Sequence, residues 1–449
     1  MTRSPWERRS SAVVSRHKES IAPAVQRLAL AAFLAVGVAR PGQAQTLTLD
    51  ETVRLALANN RNLSLAAQEV EKAAQAVDAA KTARLPKLNI TFLEPILFTL
   101  VDIRLGPFRM PLDLPHNFAF LTGSATQPIS QLYDIGLGVK ASELSRSIAS
   151  ERLQAARQTA VDEIKRAYYQ CLRAESGLIP SRQAVDLFKE LERVMDTLVV
   201  ERAALESDRL DVRARRAQQE HDVLVLENAL ATGHERINIA IGRDPETPFA
   251  TEMLPLALPA EAELAMSRAA VLDQRPDVRE ARIVIDLAKT DLSLKKAEQY
   301  PRVGATFYYV GQVNMPLLPG NIAAALVQAT WEPFDWGRKG HERASKQLAV
   351  KQAETSLKQL EATVAVDLNA RTRTLREARS LIAVMELTVS AAREKLRVML
   401  DKREERAVLA KDLLQAQVAI AEADHHYQSA LLAYWEARAD FEKSLGVQP

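Results

Sequence analysis

The chain of 449 residues has one cysteine, Cys171, and only 5% aromatic residues, while its charged residues nearly balance, with 59 basic against 57 acidic. A single cysteine excludes an intramolecular disulfide framework and any paired-cysteine metal site. The near-balance of charge excludes the basic stripe of a nucleic-acid binder. Catalytic motifs are also missing. No phosphate loop, HExxH or GxSxG occurs, and the GLG at 136–138 lacks the third glycine and the βαβ setting of a dinucleotide site. His425 and His426 follow Asp424, but adjacent positions on a helix do not share a face, so they are poor joint ligands. Cys171, inside AYYQCLRAE, reads as a small buried residue and not as a nucleophile. No cofactor and no enzymatic activity are expected.

One long apolar run is present, and it stands near the N-terminus. Arg3, Arg8, Arg9, Arg16, Lys18 and Arg27 precede LALAAFLAVGVA at 28–39, and Gly42-Gln43-Ala44 follows. A basic leader, a short apolar run and a small-residue site make residues 1–44 an expected signal peptide. The run is too short to span a bilayer as a helix. Removing seven basic and two acidic residues with it leaves 52 basic against 55 acidic. No cysteine lies near the cleavage site, so no N-terminal lipid anchor is expected.

The rest of the chain repeats itself. ERAALESD at 201–208 returns as ERAVLAKD at 405–412, and Ile241-Gly242 as Leu445-Gly446, both 204 residues later. Arg61-Asn62-Leu63-Ser64 stands where Pro276-Asp277-Val278-Arg279 stands, Leu85-Pro86-Lys87-Leu88 where Tyr300-Pro301-Arg302-Val303 stands, and Thr91-Phe92 where Thr306-Phe307 stands, all at 215. LYDIG at 132–136 matches PFDWG at 333–337 at an offset of 201. Six pairs in one order define two units, 45–254 and 255–449. The first unit is longer between its strands, through LVDIRLGPFRMPLDLPHN at 100–117. Pro107, Pro111 and Pro115 oppose regular structure there, so a surface loop is expected.

Strands are expected within 85–131 and 300–334. Leu88, Ile90 and Phe92 alternate with Asn89 and Thr91. Val303, Ala305, Phe307, Tyr309 and Val313 alternate with Thr306, Tyr308 and Gln312. Ala323, Ala325, Val327, Ala329 and Trp331 alternate with Gln328, Thr330 and Glu332; the segment 118–127 is less regular. Of the 21 aromatic residues after position 45, thirteen fall in 85–135 or 300–337. That concentration suits a membrane interface as well as an ordinary sheet. The remainder is helical in pattern. Leu375, Ala378, Ile382, Met385, Val389, Ala392, Leu396 and Met399 form a heptad seam, and Val350, Ala353, Leu357, Leu360 and Val364 form another upstream. The matching helix of the first unit is expected at about 139–205, kinked near Gly177 and Pro180. The repeated octets fall where each long helix must reverse, with hairpin tips near 201–212 and 403–416. Asp208 and Asp412 are expected as N-caps of the returning helices.

Arg275-Pro276-Asp277-Val278, FDWGR at 334–338, QLYDIGLGVKASEL at 131–144 and DLLQAQVA at 412–419 resemble the TolC-like outer-membrane efflux protein family across 46–449. The resemblance implies a mainly α fold with a β part. Four strands per protomer would contribute to a trimeric twelve-strand transmembrane barrel above a long coiled-coil α-helical barrel. It implies the passive exit duct of a tripartite efflux or type I secretion system, in the outer membrane and reaching into the periplasm. The implied partners are two further copies, outer-membrane lipid, a periplasmic adaptor and an inner-membrane transporter. It places a periplasmic constriction at Asp208, Asp211 and Asp412. Gln415 stands at a fourth position that is acidic in the family, and Glu404 and Glu405 replace a family-typical glycine at the turn. The adaptor-contact tip would comprise Glu201, Arg202, Ala203 and Leu205 with Glu405, Arg406, Ala407 and Leu409. The alternative function is a periplasmic adaptor-like coiled-coil protein. An adaptor typically has one hairpin flanked by β-rich domains, against two hairpins here. An exported hydrolase has no assembled nucleophile, base or metal to support it. The cargo and the particular pump are not legible.

Overall fold

The computed structural model describes residues 45–96, 98, 101–105, 108–112, 117–253, 268–314, 319–404 and 410–446; the expected signal peptide lies outside them. Residues 46–449 make one compact unit. In chain order its elements are β1 (Gln45–Leu47), α1 (Leu49–Asn59), α2 (Arg61–Thr82), β2 (Lys87–Leu93), β3 (Val101–Leu105), β4 (Phe108–Leu112), β5 (Ala119–Pro128) and α3 (Leu132–Val200). There follow α4 (Glu206–Ala240), β6 (Phe249–Thr251), α5 (Arg268–Gln274), α6 (Pro276–Ala297), β7 (Arg302–Val313), β8 (Asn321–Thr330), α7 (Arg338–Glu404) and α8 (Ala410–Ser444).

Helices of equal length recur. α2 and α6 each have 22 residues, and α4 and α8 each have 35. α3, with 69 residues, and α7, with 67, would each reach about 100 Å at the α-helical rise. α3 packs along α4, and α7 along α8. α3 also meets α2, α6 and α8, which ties the two hairpins together. The expected seam is the buried stripe of α7: Val364, Leu375, Ile382 and Val389 are buried, with Ala378 and Met385 packed beside them. α3 begins about two turns earlier than expected, ends at Val200 and runs through Pro180 as one continuous helix.

The core lies where the ends of α4 and α8 return to the long helices. Ile164, Tyr168, Cys171 and Leu172 of α3 meet Ile237 and Ile241 at the end of α4 and Leu432 of α8. The single proton of the Tyr168 hydroxyl lies between the carbonyls of Leu47 (2.8 Å) and Glu252 (2.9 Å), and its oxygen accepts the Glu252 N–H (2.8 Å), holding the β1–β6 pair against α3. Gly242 and Gly446 end the two returning helices with φ of +77° and +74°. At Gly242 the amide of Arg243 reaches back to Asn238 O (2.8 Å), and that of Gly242 to Ile239 O (3.1 Å), a Schellman cap that favours glycine. The Arg-Pro-Asp motif serves the other end. Arg275 holds both oxygens of Asp277 (3.0 and 2.7 Å) and donates to Ser444 O (3.0 Å), while Pro276 takes the first turn of α6.

A charge cluster fastens the same level. Arg166 and Arg371 donate to opposite oxygens of Asp440, and Lys443 donates to the buried Asp162 at 2.9 Å. Burial, the largest influence on Asp440, raises its pKa, against the two arginines, which lower it.

Candidate functional site at the exposed sheet and the hairpin tip

The four-stranded sheet runs in the order β2-β5-β7-β8, antiparallel throughout. Its register sorts the side chains into two faces. Ile90 pairs with Gly123, Gly123 with Tyr309, and Tyr309 with Ala323. Leu88 pairs with Ala125, Ala125 with Phe307, and Phe307 with Ala325. With Phe92, Leu121 and Val327 these make an apolar face. On the other face Asn89 pairs with Ser124, Ser124 with Tyr308, Thr91 with Thr122, and Thr126 with Thr306. The last two hydroxyls lie 3.2 Å apart. The expected alternation is therefore realised in β2, β5 and β7, whereas in β8 Ile322, Ala324 and Leu326 fall on the polar face, and 118–127 is a central strand.

Among the described residues nothing covers this apolar face. Ile90 is 79% exposed, Leu88 75%, Val327 73% and Phe92 65%. β2 and β8 are edge strands with one side unpaired. Exposing such a surface to water would be costly and aggregation-prone; in lipid the same surface is stable only if the edges close. β5, β7 and β8 have 10, 12 and 10 residues, the span a tilted strand needs to cross a hydrocarbon core. Exposed aromatics gather where the sheet joins the helices: Tyr133, Tyr300, Trp331, Phe334 and Trp336. The Phe334 and Trp336 rings meet edge to face at 4.9 Å. Rings at that level suit a lipid headgroup zone.

One local expectation is corrected, and one repeat pair proves to differ in shape. The segment 100–117 is not wholly irregular, because β3 and β4 pair from Val101↔Leu112 to Leu105↔Phe108. Pro111 sits within β4. In a two-stranded ribbon every strand has a free side, where a missing N–H costs nothing. LYDIG and FDWG, although alike in sequence, differ in conformation. Asp134 lies in the first turn of α3, whereas Asp335 accepts the amides of Gly337 (3.1 Å) and Lys339 (2.7 Å) in a turn ahead of α7.

At the far end α3 closes by another Schellman turn. Ala203 N–H donates to Leu198 O (2.8 Å) and Arg202 N–H to Val199 O (3.0 Å), with Arg202 at φ +59° where glycine is the usual occupant. The turn delivers Leu205 in an extended conformation as the N-cap of α4. Asp208 is consequently the third residue of the helix and not its N-cap. Its carboxylate reaches back to the Leu205 N–H at 3.4 Å, the acidic half of a capping box whose other half leucine cannot supply. α8 starts at Ala410, so Asp412 is likewise third within its helix, not its N-cap. Of the tip residues, Glu201, Arg202, Ala203 and Leu205 are exposed; Glu405, Arg406, Ala407 and Leu409 lie outside the described residues.

A groove of about 280 Å³ runs between the hairpins near the tip. It brings together three of the four residues named for the constriction, Asp208, Asp211 and Gln415, over Phe188, Leu191 and Val212. Asp211 is exposed and has no ion-pair partner among the described residues, whereas Arg209 nearby is held by Glu206 and by Asp196 (3.5 Å). Arg215 and Glu422 line the same groove and were missed at the level of sequence. Their spacing, four residues after Asp211 and seven after Gln415, was the available signal. Among the described residues no group of acids, histidines and cysteine could hold a metal. Asp424 pairs with Arg393 at 3.2 Å, and His425 is half-buried with burial holding its pKa down.

No family model and no curated protein matches the chain. Solved structures do. The Campylobacter jejuni CmeC outer membrane channel aligns with a TM-score of 0.75 at 15% identity, over 89% of this chain and 85% of that one. CusC, whose structures concern folding and transmembrane channel formation, aligns at 0.72 with 14% identity, over 88% and 91%. The open state of the Neisseria gonorrhoeae MtrE outer membrane channel aligns at 0.70 with 18% identity, over 89% and 88%. At these identities the likeness shows the fold.

Proposed function

We propose that this chain, which has the fold of the outer-membrane channels, is one protomer of a passive exit duct of an efflux or secretion machine. The observation that carries this reading is the sheet: four strands with a bare apolar face and two bare edges. One copy cannot satisfy those edges in lipid. Three copies close them into a twelve-strand barrel, an even count compatible with closure. The two-unit organisation is supported by the paired helix lengths, and it gives the assembly a pseudo-sixfold ring of hairpins.

The apolar face meets outer-membrane lipid and the polar face lines the lumen. The hairpins extend into the periplasm, where Asp208, Asp211, Asp412 and Gln415 narrow the mouth. The turn residues of both tips, Glu201 to Leu205 and Glu405 to Leu409, meet a periplasmic adaptor that links to an inner-membrane transporter. No bond of the cargo is made or broken, because the duct supplies a path and a gate. Fractionation and planar-bilayer recording test this. The expected result is a heat-labile trimer in the outer membrane that conducts ions. A stable water-soluble monomer that needs no detergent and opens no pore would overturn it.

A further inference from the structure

The lumen face of the sheet is almost free of charge, and the exception is at its foot. Asn89, Thr91, Thr122, Ser124, Thr126, Thr306, Tyr308 and Gln312 share that face by register. The same parity places Lys87, paired with Thr126, and Arg302, paired with Thr330, on it too. Lys87 opens β2 directly after α2, and Arg302 opens β7 directly after α6. They stand 215 residues apart, the offset at which α2 and α6 recur, so they occupy the same level of the two units. Both are exposed, and no hydrogen bond or ion pair joins either side chain to another described residue.

Nearby carboxylates have other partners. Glu332 pairs with Arg338 (2.7 Å) and Lys339 (3.4 Å), Glu298 with Lys295 (3.0 Å), and Glu342 with Lys295 (3.1 Å). Asp335 accepts two backbone amides. Asp134 is the carboxylate that feels the Arg302 charge: burial, the largest influence, raises its pKa, and the Arg302 charge lowers it, but the two side chains form no ion pair. Two basic groups per chain thus form no ion pair or hydrogen bond with another described residue, on a face whose other side chains include hydroxyls, amides and the apolar Val310, Ile322 and Leu326.

We propose that Lys87 and Arg302, from each of three chains, form a cationic collar at the foot of the barrel lumen that binds the anionic groups of passing cargo. This rests on the exit-duct reading and adds the cargo's chemical class: solutes carrying carboxylate or phosphate. Unpaired cations in a narrow, low-dielectric-walled passage concentrate anions, and the ring geometry lets several donors address one polyanion. Arg302 adds a fork suited to carboxylate and phosphate oxygens, and Lys87 a point charge.

The test uses the full-length channel in planar bilayers, with pyrophosphate as the probe. Pyrophosphate should block the wild-type current. The K87Q/R302Q variant should need about tenfold more of it and shift its permeability toward cations. K87R and R302K, which keep the charge, should block like wild type. If the double variant does not assemble, the single K87Q and R302Q variants should each lose part of the block. Equal block in wild type and all neutralised variants overturns the collar while leaving the duct intact. A wild-type protein that never conducts overturns the duct reading, and the collar with it.

Discussion

Cys171 and Gly233 face each other across the seam between α3 and α4, so closely that a Cβ added to Gly233 would stand 2.4 Å from the Cys171 sulfur. Gly233→Ala should therefore destabilise the hairpin despite alanine's better helix propensity. Overpacking costs about 1–3 kcal/mol, and the propensity gain recovers only about 1 kcal/mol. Removing the sulfur should reverse the sign: adding Cys171→Ala to Gly233→Ala should restore stability to near wild type. Thermal unfolding of the detergent-solubilised protein measures all four corners of the cycle. Strictly additive effects would show that the two positions are not in contact.

The same thiol is chemically silent in the folded chain. Burial pushes the Cys171 thiol up to about 12, with the Glu175 charge adding to the effect. Unfolded, it should titrate near 8.5. A raised folded value means the native state keeps its proton while the unfolded state loses it. The thiol's stabilising contribution is therefore complete below about pH 8.5 and is lost as pH rises toward 12. A maleimide at pH 8 should label the protein only after denaturation. Rapid labelling of the native protein would mean that the seam opens.

Which features were legible follows from how far apart the interacting residues are. Alternation in Leu88, Ile90 and Phe92 and heptads through Leu375, Ile382 and Val389 are local patterns, and they placed the sheet faces and the α7 seam correctly. The helix start at the first tip failed because Asp208 looks like a cap by composition. A Schellman turn at Arg202 sets the chain direction first and starts the helix three residues earlier. Lys87 and Arg302 were visible only as repeat markers, since their isolation from counter-ions needs the folded positions of Glu332, Glu298 and Asp335. The joining of Arg166 and Arg371 at Asp440 spans most of the chain and carries no local sequence pattern at all.

Sheet polarity makes opposite predictions for neighbouring residues. Ile90→Lys puts a charge on the apolar face, which costs about 2–4 kcal/mol near the bilayer midplane. Asn89→Lys, one residue earlier, lies on the opposite face, which lines a wet lumen in the proposed duct, and should cost little. The heat-labile trimer in the outer-membrane fraction should be depleted for the first variant and retained for the second. Equal tolerance of both would remove lipid from the Ile90 side of the sheet.

The tip separates a structural role from a gating one at a single residue. Asp208 accepts the Leu205 amide, so Asp208→Ala loses an acceptor at the start of α4, at about 1 kcal/mol, together with a charge. Asp208→Asn keeps an oxygen for that amide and loses only the charge. If the carboxylates act as a constriction, Asp208→Asn and Asp412→Asn should both raise passive leak of bulky solutes and reduce cation preference in planar bilayers, with hairpin stability preserved. If Asp208 serves only its helix, Asp208→Asn should behave as wild type in leak and conductance, and Asp208→Ala should show the loss of stability alone. Asp211, exposed and unpaired beside it, supplies the comparison: with no amide to cap, any effect of Asp211→Asn on leak reports charge.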